Sequence, residues 1–176
     1  MHIIVDGYNL IRQSGTFRHY ERKSLEEGRN ALIRSLAGYR KLRGHRITVV
    51  FDGWVGGSPT EERDLAVGVE IIYSRLGEKA DEVIKRLLGK GSEEILVVTS
   101  DREIATFAAR RGKTAIASAA FDALLERSAA GSSATDSSGT GNADDDDDDR
   151  TGMKRKGPSR RLSKQKRAAM ARFKKL

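Results

Sequence analysis

Three apolar, strand-like runs of this chain each lead into an aspartate. The pairs are residues 3–5 before Asp6, 47–51 before Asp52, and 95–98 before Asp101. A fourth aspartate, Asp81, opens a helix-like stretch that runs from residue 80 to 88. Open parallel sheets bind ligands beyond the carboxyl ends of their strands. Carboxylates gathered there repel one another, and a divalent cation relieves that repulsion. The sequence therefore predicts an enzyme that uses Mg²⁺ or Mn²⁺.

The order of apolar patterns predicts an α/β fold with a mainly parallel central sheet. Strand-like runs alternate with helical spacing, as expected for βαβ units with helices on both faces. The predicted strands lie near residues 2–6, 46–52, 68–73, 94–99 and 113–117. The predicted helices lie near residues 23–42, 79–89, 102–111 and 119–130.

Composition divides the 176 residues into three parts. Residues 1–130 have the pattern of one folded domain, and residues 131–152, rich in Gly, Ser and Asp, are predicted to be a disordered linker. Residues 153–176 form a basic tail, because residues 150–176 hold 12 Lys and Arg and no acid. Such an excess of positive charge is typical of segments that bind nucleic-acid phosphates, and we expect five residues in particular to make these contacts: Arg160, Arg161, Lys164, Lys166 and Arg167.

Several classes of protein are excluded or disfavoured by composition. The chain has no cysteine, so disulfides and thiolate metal sites are excluded. No apolar run is long enough to span a membrane, and the N-terminus enters a strand without a signal-like segment. A cytoplasmic protein without a membrane partner is therefore expected. No phosphate-binding glycine motif of NTPases or dinucleotide enzymes is present.

The segment from Asp6 to Asn9 carries the most specific motif. Gly7 permits a tight turn or the close approach of a ligand, and Asn9 is placed to direct its amide toward the same point as Asp6. The alternative is that Asp6 only caps a short helix by accepting backbone N–H bonds. The three other acids in similar positions favour a metal ligand.

Residues 99–103 allow two interpretations that are compatible. Ser100 and Glu103 have the spacing of a capping box before a helix. That motif leaves Asp101 available as a metal ligand, with Thr99 or Ser100 holding a metal-bound water. Arg102 is a candidate for contacting substrate phosphates, together with Arg12, Arg18 and Arg75.

Asp81 and its neighbour Glu82 are separated by helical geometry. At 100° per residue, Asp81 lies at the border of the apolar stripe, while Glu82 points nearly the opposite way. Asp81 is therefore the preferred ligand, although acids at a helix start are also common on solvated surfaces. Asp52 precedes a glycine, which is also an ordinary turn signal, so Asp52 is either a metal ligand or a residue just behind the ligands.

Four segments together resemble the YacP-like NYN domains of the PIN-like nuclease superfamily. These segments are residues 5–11 (VDGYNLI), 50–53 (VFDG), 73–84 (with ADEVI at its end) and 98–104 (VTSDREI). The resemblance covers roughly residues 1–125 and leaves the linker and the tail outside. It implies a three-layer α/β/α PIN-like domain, Mg²⁺ or Mn²⁺ as cofactor, and RNA endonuclease activity in bacterial RNA processing or decay. In this family pattern Asp6, Asp81 and Asp101 match the acidic core, and Asn9 matches the polar residue after the first acid.

The expected reaction is hydrolysis of RNA phosphodiester bonds. Cations held by Asp6, Asp81 and Asp101 would activate a water and stabilise charge on the phosphate. Two other functions remain open: a non-catalytic RNA- or ribosome-binding module, and a metal-dependent phosphatase acting on small esters. RNA is the expected partner of a nuclease and of a binding module, with ribosome association and oligomeric state left open.

Overall fold

The computed structural model of the chain describes residues 1–53, 58–89 and 94–132. This part contains six strands: β1 (His2–Asp6), β2 (Arg46–Phe51), β3 (Glu62–Ala66), β4 (Val69–Tyr73), β5 (Ile95–Val98) and β6 (Thr114–Ile116). It contains six helices: α1 (Gly7–Gln13), α2 (Gly15–Glu21), α3 (Leu25–Arg43), α4 (Ala80–Gly89), α5 (Arg102–Arg110) and α6 (Ser118–Ser132). The compact unit ends at Ser132. The predicted linker beyond residue 132 and the whole basic tail lie outside the described residues.

The six strands form one sheet in the order β3-β4-β2-β1-β5-β6. All neighbouring pairs are parallel except β3 and β4, so the predicted mainly parallel α/β fold is confirmed. The chain proceeds from β1 to β2 on one side, and β5 later pairs with β1 on the other side. The strand order therefore reverses between β1 and β5, and open α/β sheets bind ligands beyond the carboxyl ends of their strands at such a point.

Helices cover both faces of the sheet. On one face α4 and α5 contribute to a buried cluster with Ile4 of β1 and Val97 of β5. Side chains alternate along a strand, so Ile3 and Val5, both fully buried, face the other layer. There α1, α2, α3 and α6 contact one another, and Tyr39 packs edge-on against Phe121 with ring centroids 5.5 Å apart. Burial on both faces explains why the central strands are almost continuously apolar.

Two elements, α2 and β3, were not predicted from the sequence, and α1 was considered only as the short helix in the alternative interpretation of Asp6. The two helices have seven residues each, which is too short for a clear apolar period. Strand β3 is exposed along nearly its whole length, so it lacks the alternation that reveals a half-buried strand. It is held by antiparallel pairing with β4 through a turn at Val67 and Gly68, both with positive φ (50° and 80°).

Gly53 follows β2 at a point where the backbone approaches β4 closely. Its amide donates to the Ser74 hydroxyl at 3.0 Å, and a Cβ at this position would overlap the Ser74 carbonyl oxygen. We expect Gly53→Ala to lower the free energy of unfolding by about 1–3 kcal/mol, because the backbone must move apart.

Gly38→Ala is the matched control for this effect. Gly38 lies inside α3, and a Cβ at this position would project into open space. This change should instead raise the free energy of unfolding by about 0.5–1 kcal/mol, through helix propensity. Urea unfolding of both variants measures the difference. An equal effect of the two alanines would contradict the close approach at Gly53.

No helix in the described ranges is both long enough and apolar enough to cross a membrane.

Candidate active site at the carboxyl ends of the parallel strands

Asp6 lies at the end of the central strand and is 8% exposed. Its Oδ1 accepts a hydrogen bond from the backbone amide of Asn9 at 3.2 Å. Asp6 therefore caps α1, as the alternative interpretation of the Asp6 motif predicted. Its Oδ2 accepts from the Thr99 hydroxyl at 3.1 Å, across from β5. The Asp6 carboxylate is therefore held by α1, which follows β1, and by Thr99, which follows β5.

The environment of Asp6 disfavours its ionised form. Burial is the largest cause and raises the pKa of Asp6 from 3.8 to about 6. The carboxylates of Asp81 and Asp52 raise this pKa as well, against the hydrogen bonds that lower it. A buried acid at a ligand-binding crevice, destabilised by neighbouring acids, has the electrostatic character of a functional site.

Asp101, rather than Ser100, is the N-cap of α5. Its Oδ1 accepts from the amides of Glu103 at 2.6 Å and Ile104 at 3.3 Å. The predicted capping box starting at Ser100 is therefore wrong by one residue, because the helix begins at Arg102 and an aspartate caps as well as a serine. The Ser100 hydroxyl instead accepts from the Ser118 amide at 3.2 Å.

Asp81 lies in the first turn of α4, and Asp52, which follows β2, contacts the same turn. Oδ1 of Asp52 accepts from the Ala80 amide at 2.6 Å, which ties the end of β2 to the first turn of α4. Burial raises the pKa of Asp81, and the carboxylates of Asp101 and Asp52 raise it further. Glu82 points elsewhere, since it is 60% exposed and pairs with Lys85 at 3.2 Å. The structure thus brings Asp81 toward the other acids and leaves Glu82 outside, as the helical geometry predicted.

Thr99 and Arg102 lie beside the acids in different ways. Thr99 is buried, donates to Asp6, and accepts from the Asp101 amide at 3.1 Å, so it links two of the acids directly. Arg102 is exposed at the first residue of α5, next to Asp101. Its predicted contact with substrate phosphates stays a prediction.

Asn9 holds three elements together at the edge of the site. Its Oδ1 accepts from the Ser100 amide at 2.9 Å and from the Ser118 hydroxyl at 2.8 Å. These bonds join α1 to the loop after β5 and to the start of α6. Asn9 therefore positions the loop that carries Asp101, and its side-chain oxygen is already occupied by protein donors.

We expect Asn9→Ala to lower the free energy of unfolding by about 2–3 kcal/mol, because two donors, one of them on fully buried Ser118, lose their acceptor. Chemical denaturation measures this loss. Asn30→Ala, on the exposed side of α3, is the control and should change stability by less than about 0.5 kcal/mol. A cost for Asn9→Ala as small as that of the control would show that water replaces the Asn9 oxygen.

The four acids form a cluster that suits a hard divalent cation in its chemistry. They offer only carboxylate oxygens, which Mg²⁺ and Mn²⁺ prefer, and their mutual repulsion favours a bound cation. Among residues 1–53, 58–89 and 94–132, however, no three Asp, Glu, His or Cys side chains already form a metal-binding group. Three of the acids turn an oxygen toward backbone amides: Asp6, Asp52 and Asp101.

A cavity of about 590 Å³ opens beside the acids and is lined in part by Asp52 and Asp81. Its wall also includes Tyr8, Arg29 and Tyr73, which sequence analysis did not single out. A weak signal existed for Arg29, since it lies four residues after Leu25 on α3, and both line the cavity. For the two tyrosines no local pattern distinguishes a cavity wall from a core position.

Comparison with known proteins agrees with this architecture. The profile of the YacP-like NYN domain family matches residues 3–175. The chain belongs to the YacP-like NYN domain family. The resemblance drawn from the motifs is thus confirmed, but its predicted extent to about residue 125 was too short, since the family match includes the linker and tail sequences. The local motifs end with α5, so they carry no information about those later segments.

Relatives of this NYN protein are found in Bacillus subtilis. A protein of strain 168 described as uncharacterized protein YacP is 35% identical over 102 residues. That match covers 56% of this chain and 59% of the relative, so the chain spans about three fifths of the curated relative's length.

Two crystal structures of Rae1 (YacP) from Bacillus subtilis resemble the chain. One aligns with TM-score 0.63 at 28% identity, covering 76% of this chain and 78% of that one. The other, of a tryptophan-to-leucine mutant, aligns with TM-score 0.61 at 27% identity, covering 74% and 77%. The NYN domain has a PIN-like nuclease fold, which supports an RNA-related function.

Proposed function

We propose that this NYN protein is a metal-dependent endoribonuclease that hydrolyses phosphodiester bonds in bacterial RNA processing or mRNA decay. The observation that carries the proposal is the meeting of four aspartates at the point where strand order reverses, with mutual electrostatic effects on Asp6 and Asp81. A protein that only binds a polyanion gains nothing from clustered carboxylates, which would repel it.

Asp6, Asp81 and Asp101 are the proposed ligands for Mg²⁺ or Mn²⁺, with Asp52 as a further ligand or a residue directly behind them. When bound, the cation supplies charge stabilisation at the phosphate and an activated water. The remaining side chains hold this set in place. Thr99 orients Asp6 and the Asp101 amide, while Asn9 fixes the loop after β5.

The basic C-terminal tail has a separate proposed part in binding. Its 11 Lys and Arg, at residues 153–176, would neutralise RNA phosphates without touching the reacting bond. Arg160, Arg161, Lys164, Lys166 and Arg167 are the proposed contacts. All of them lie outside the described residues.

A direct cleavage assay tests the proposed function. The full chain is incubated with structured RNA, single-stranded RNA and a small chromogenic phosphate ester, each with Mg²⁺, with Mn²⁺ and with EDTA. We expect internal cleavage of RNA with either cation, no cleavage with EDTA, and no hydrolysis of the small ester. Hydrolysis of the ester alone would identify a phosphatase. RNA binding without cleavage under every condition would identify a binding module.

A further inference from the structure

The cavity beside the acids combines positive charge with aromatic surface. Nη1 of Arg29 donates to the Tyr8 hydroxyl at 3.0 Å, and the Arg29 guanidinium carbon lies 5.7 Å from the centroid of the Tyr73 ring. The Arg12 guanidinium carbon lies 5.7 Å from the centroid of the Tyr8 ring. Such cation–π contacts hold both guanidinium groups against the cavity wall while leaving most of their N–H donors for a ligand.

These two arginines have no acidic partner within the part of the chain that the structure describes. Ion pairs are formed there by Arg63, Arg75 and Arg86, but by neither Arg12 nor Arg29. Half-buried Arg29 is therefore oriented by aromatic rings rather than neutralised by a carboxylate. A planar guanidinium held in this way is well suited to bidentate contact with a phosphate.

Four acids line the cavity, Asp52, Glu62, Glu78 and Asp81, and they do not oppose an anionic ligand equally. Glu62 is exposed, so water screens its charge. Glu78 is already paired with Arg86 at 2.6 Å and with Arg75 at 3.5 Å. Asp52 and Asp81 belong to the acidic cluster, so a ligand in the cavity lies next to that cluster. The volume of about 590 Å³ is within the usual range for sites that enclose small organic groups, about 300–1,000 Å³.

Tyr73 supplies aromatic surface in the same cavity. It is half-buried, and its ring stacks on Phe51 with centroids 5.8 Å apart and an interplanar angle of 24°. Tyr8 packs edge-on against Phe51, with centroids 5.2 Å apart. This row of three rings is anchored in the core. Because Phe51 stacks on the Tyr73 ring and the Arg29 guanidinium lies over it, a base would contact only the remaining surface of Tyr73 that lines the cavity.

We propose that this cavity holds one nucleotide of the RNA strand beside the bond that is cut, with Arg29 and Arg12 contacting its phosphate and Tyr73 contacting its base. This inference rests on the proposed endoribonuclease function and names the part of the site that positions the substrate. Arg12 and Arg29 are thus positioning residues for RNA, distinct from the acids that would hold the cation.

Binding of RNA by an inactive parent tests the phosphate contact. The parent is the full chain with Asp6→Asn, and the probe is a short fluorescent single-stranded RNA whose integrity is checked on a gel after each titration. Arg29→Met in this parent should lower RNA affinity about tenfold, because a charged hydrogen bond to phosphate is lost. It should also reduce the slope of log K against log salt concentration, where K is the RNA association constant. The expected reduction is roughly 0.7, the slope that one phosphate contact contributes on a single strand.

Arg34→Met is the matched control, since Arg34 is an exposed arginine on the same helix, outside the cavity. It should change RNA affinity by no more than about twofold. Arg29→Lys keeps the charge without the planar fork and should give a loss between those of the two methionine variants. If Arg29→Met unfolds earlier than its parent, the lysine variant decides the result. Equal losses for Arg29 and Arg34 variants would overturn the inference.

Competition by polyphosphate, which has the charge of RNA but no bases, distinguishes the phosphate contact of Arg29 from the base contact of Tyr73. Tyr73→Leu should weaken RNA binding at least about fivefold through the lost base contact. It should weaken polyphosphate competition less than RNA binding, because Arg29 keeps its charge although it loses the ring that orients it. Arg29→Met should weaken both. Tyr20→Leu, on α2 outside the cavity, is the aromatic control and should change neither. An unchanged RNA affinity of Tyr73→Leu would remove the base contact from the proposal.

Failure of this inference can be distinguished from failure of the proposed function. Cleavage of RNA by the unmodified chain, together with equal affinities of the Arg29 and Arg34 variants, would overturn the nucleotide site alone. Loss of RNA affinity in Arg29→Met, with no cleavage by the unmodified chain under any metal condition, would support the nucleotide site and refute the nuclease function.

Discussion

Replacing Asp6 with asparagine is expected to abolish RNA cleavage while the domain stays folded. Asparagine is as good an N-cap as aspartate, and its oxygen retains the bond from the Asn9 amide. What is lost is one negative charge at the centre of the proposed cation site. We expect the cleavage rate to fall by more than roughly a hundredfold, since even residues behind metal ligands change activity by 10–100-fold.

The same variant should be more stable than the unmodified chain at neutral pH in the absence of divalent cations. The folded-state pKa of Asp6, about 6, is above its ordinary value of 3.8, so the folded state holds the proton more tightly than the unfolded state. Ionisation of Asp6 therefore costs stability as pH rises from about 4 to about 6, and this cost is constant above that range. Asp6→Asn should gain about 1–3 kcal/mol at pH 7.5 and almost nothing at pH 4.

Asp122→Asn is the control for the cleavage measurement. Asp122 is also 8% exposed, and burial likewise raises its pKa, but it lies on α6 outside the acidic cluster. This variant should cleave RNA at the normal rate. Near-normal cleavage by Asp6→Asn at saturating Mg²⁺ would show that Asp6 is not a cation ligand, whatever its effect on stability.

Asp81 and Glu82 are expected to differ greatly although they are neighbours in the first turn of α4. Asp81→Ala should lower RNA cleavage by at least roughly a hundredfold, because Asp81 lines the cavity beside the other acids. Glu82→Ala should change the rate by less than about twofold, because Glu82 is exposed and forms a surface ion pair with Lys85.

The pair is well matched in its effect on the helix. Each acid favours the amino end of α4 by about 0.3–1 kcal/mol. Removing Asp81 also relieves its burial and its repulsion by Asp101 and Asp52, so Asp81→Ala should lose less stability than Glu82→Ala. Steady-state cleavage kinetics at saturating Mg²⁺, with thermal unfolding of both variants, measure rate and stability separately. A larger rate loss for Glu82→Ala than for Asp81→Ala would mean that Glu82, and not Asp81, is the ligand of the cation.

The sequence was most informative where a local pattern and a position in the fold coincide. The runs before Asp6, Asp52 and Asp101 are apolar because their strands are buried on both faces, and the ends of such strands can be read directly. The border position of Asp81 on α4 followed from helical geometry in the same way. Strand β3 carried no such pattern because it is stabilised by pairing with β4 rather than by burial of its side chains.

Local patterns could not separate residues that compete for the same task. Ser100 and Asp101 can both cap a helix, and the choice of Asp101 depends on where the chain leaves β5. The order of strands in the sheet also required the tertiary structure, since each parallel pair joins segments distant in sequence.

By itself, then, the sequence determined the α/β class, the family and the aspartates that end the strands, because strand burial and helix periodicity are local properties of the chain. Only the tertiary structure decided that Asn9 is bonded to Ser100 and Ser118, and that Arg29 lies over Tyr73 in a cavity beside Asp81. These contacts join residues 44–109 positions apart, and packing of the helices on the sheet brings them together, which no local spacing encodes.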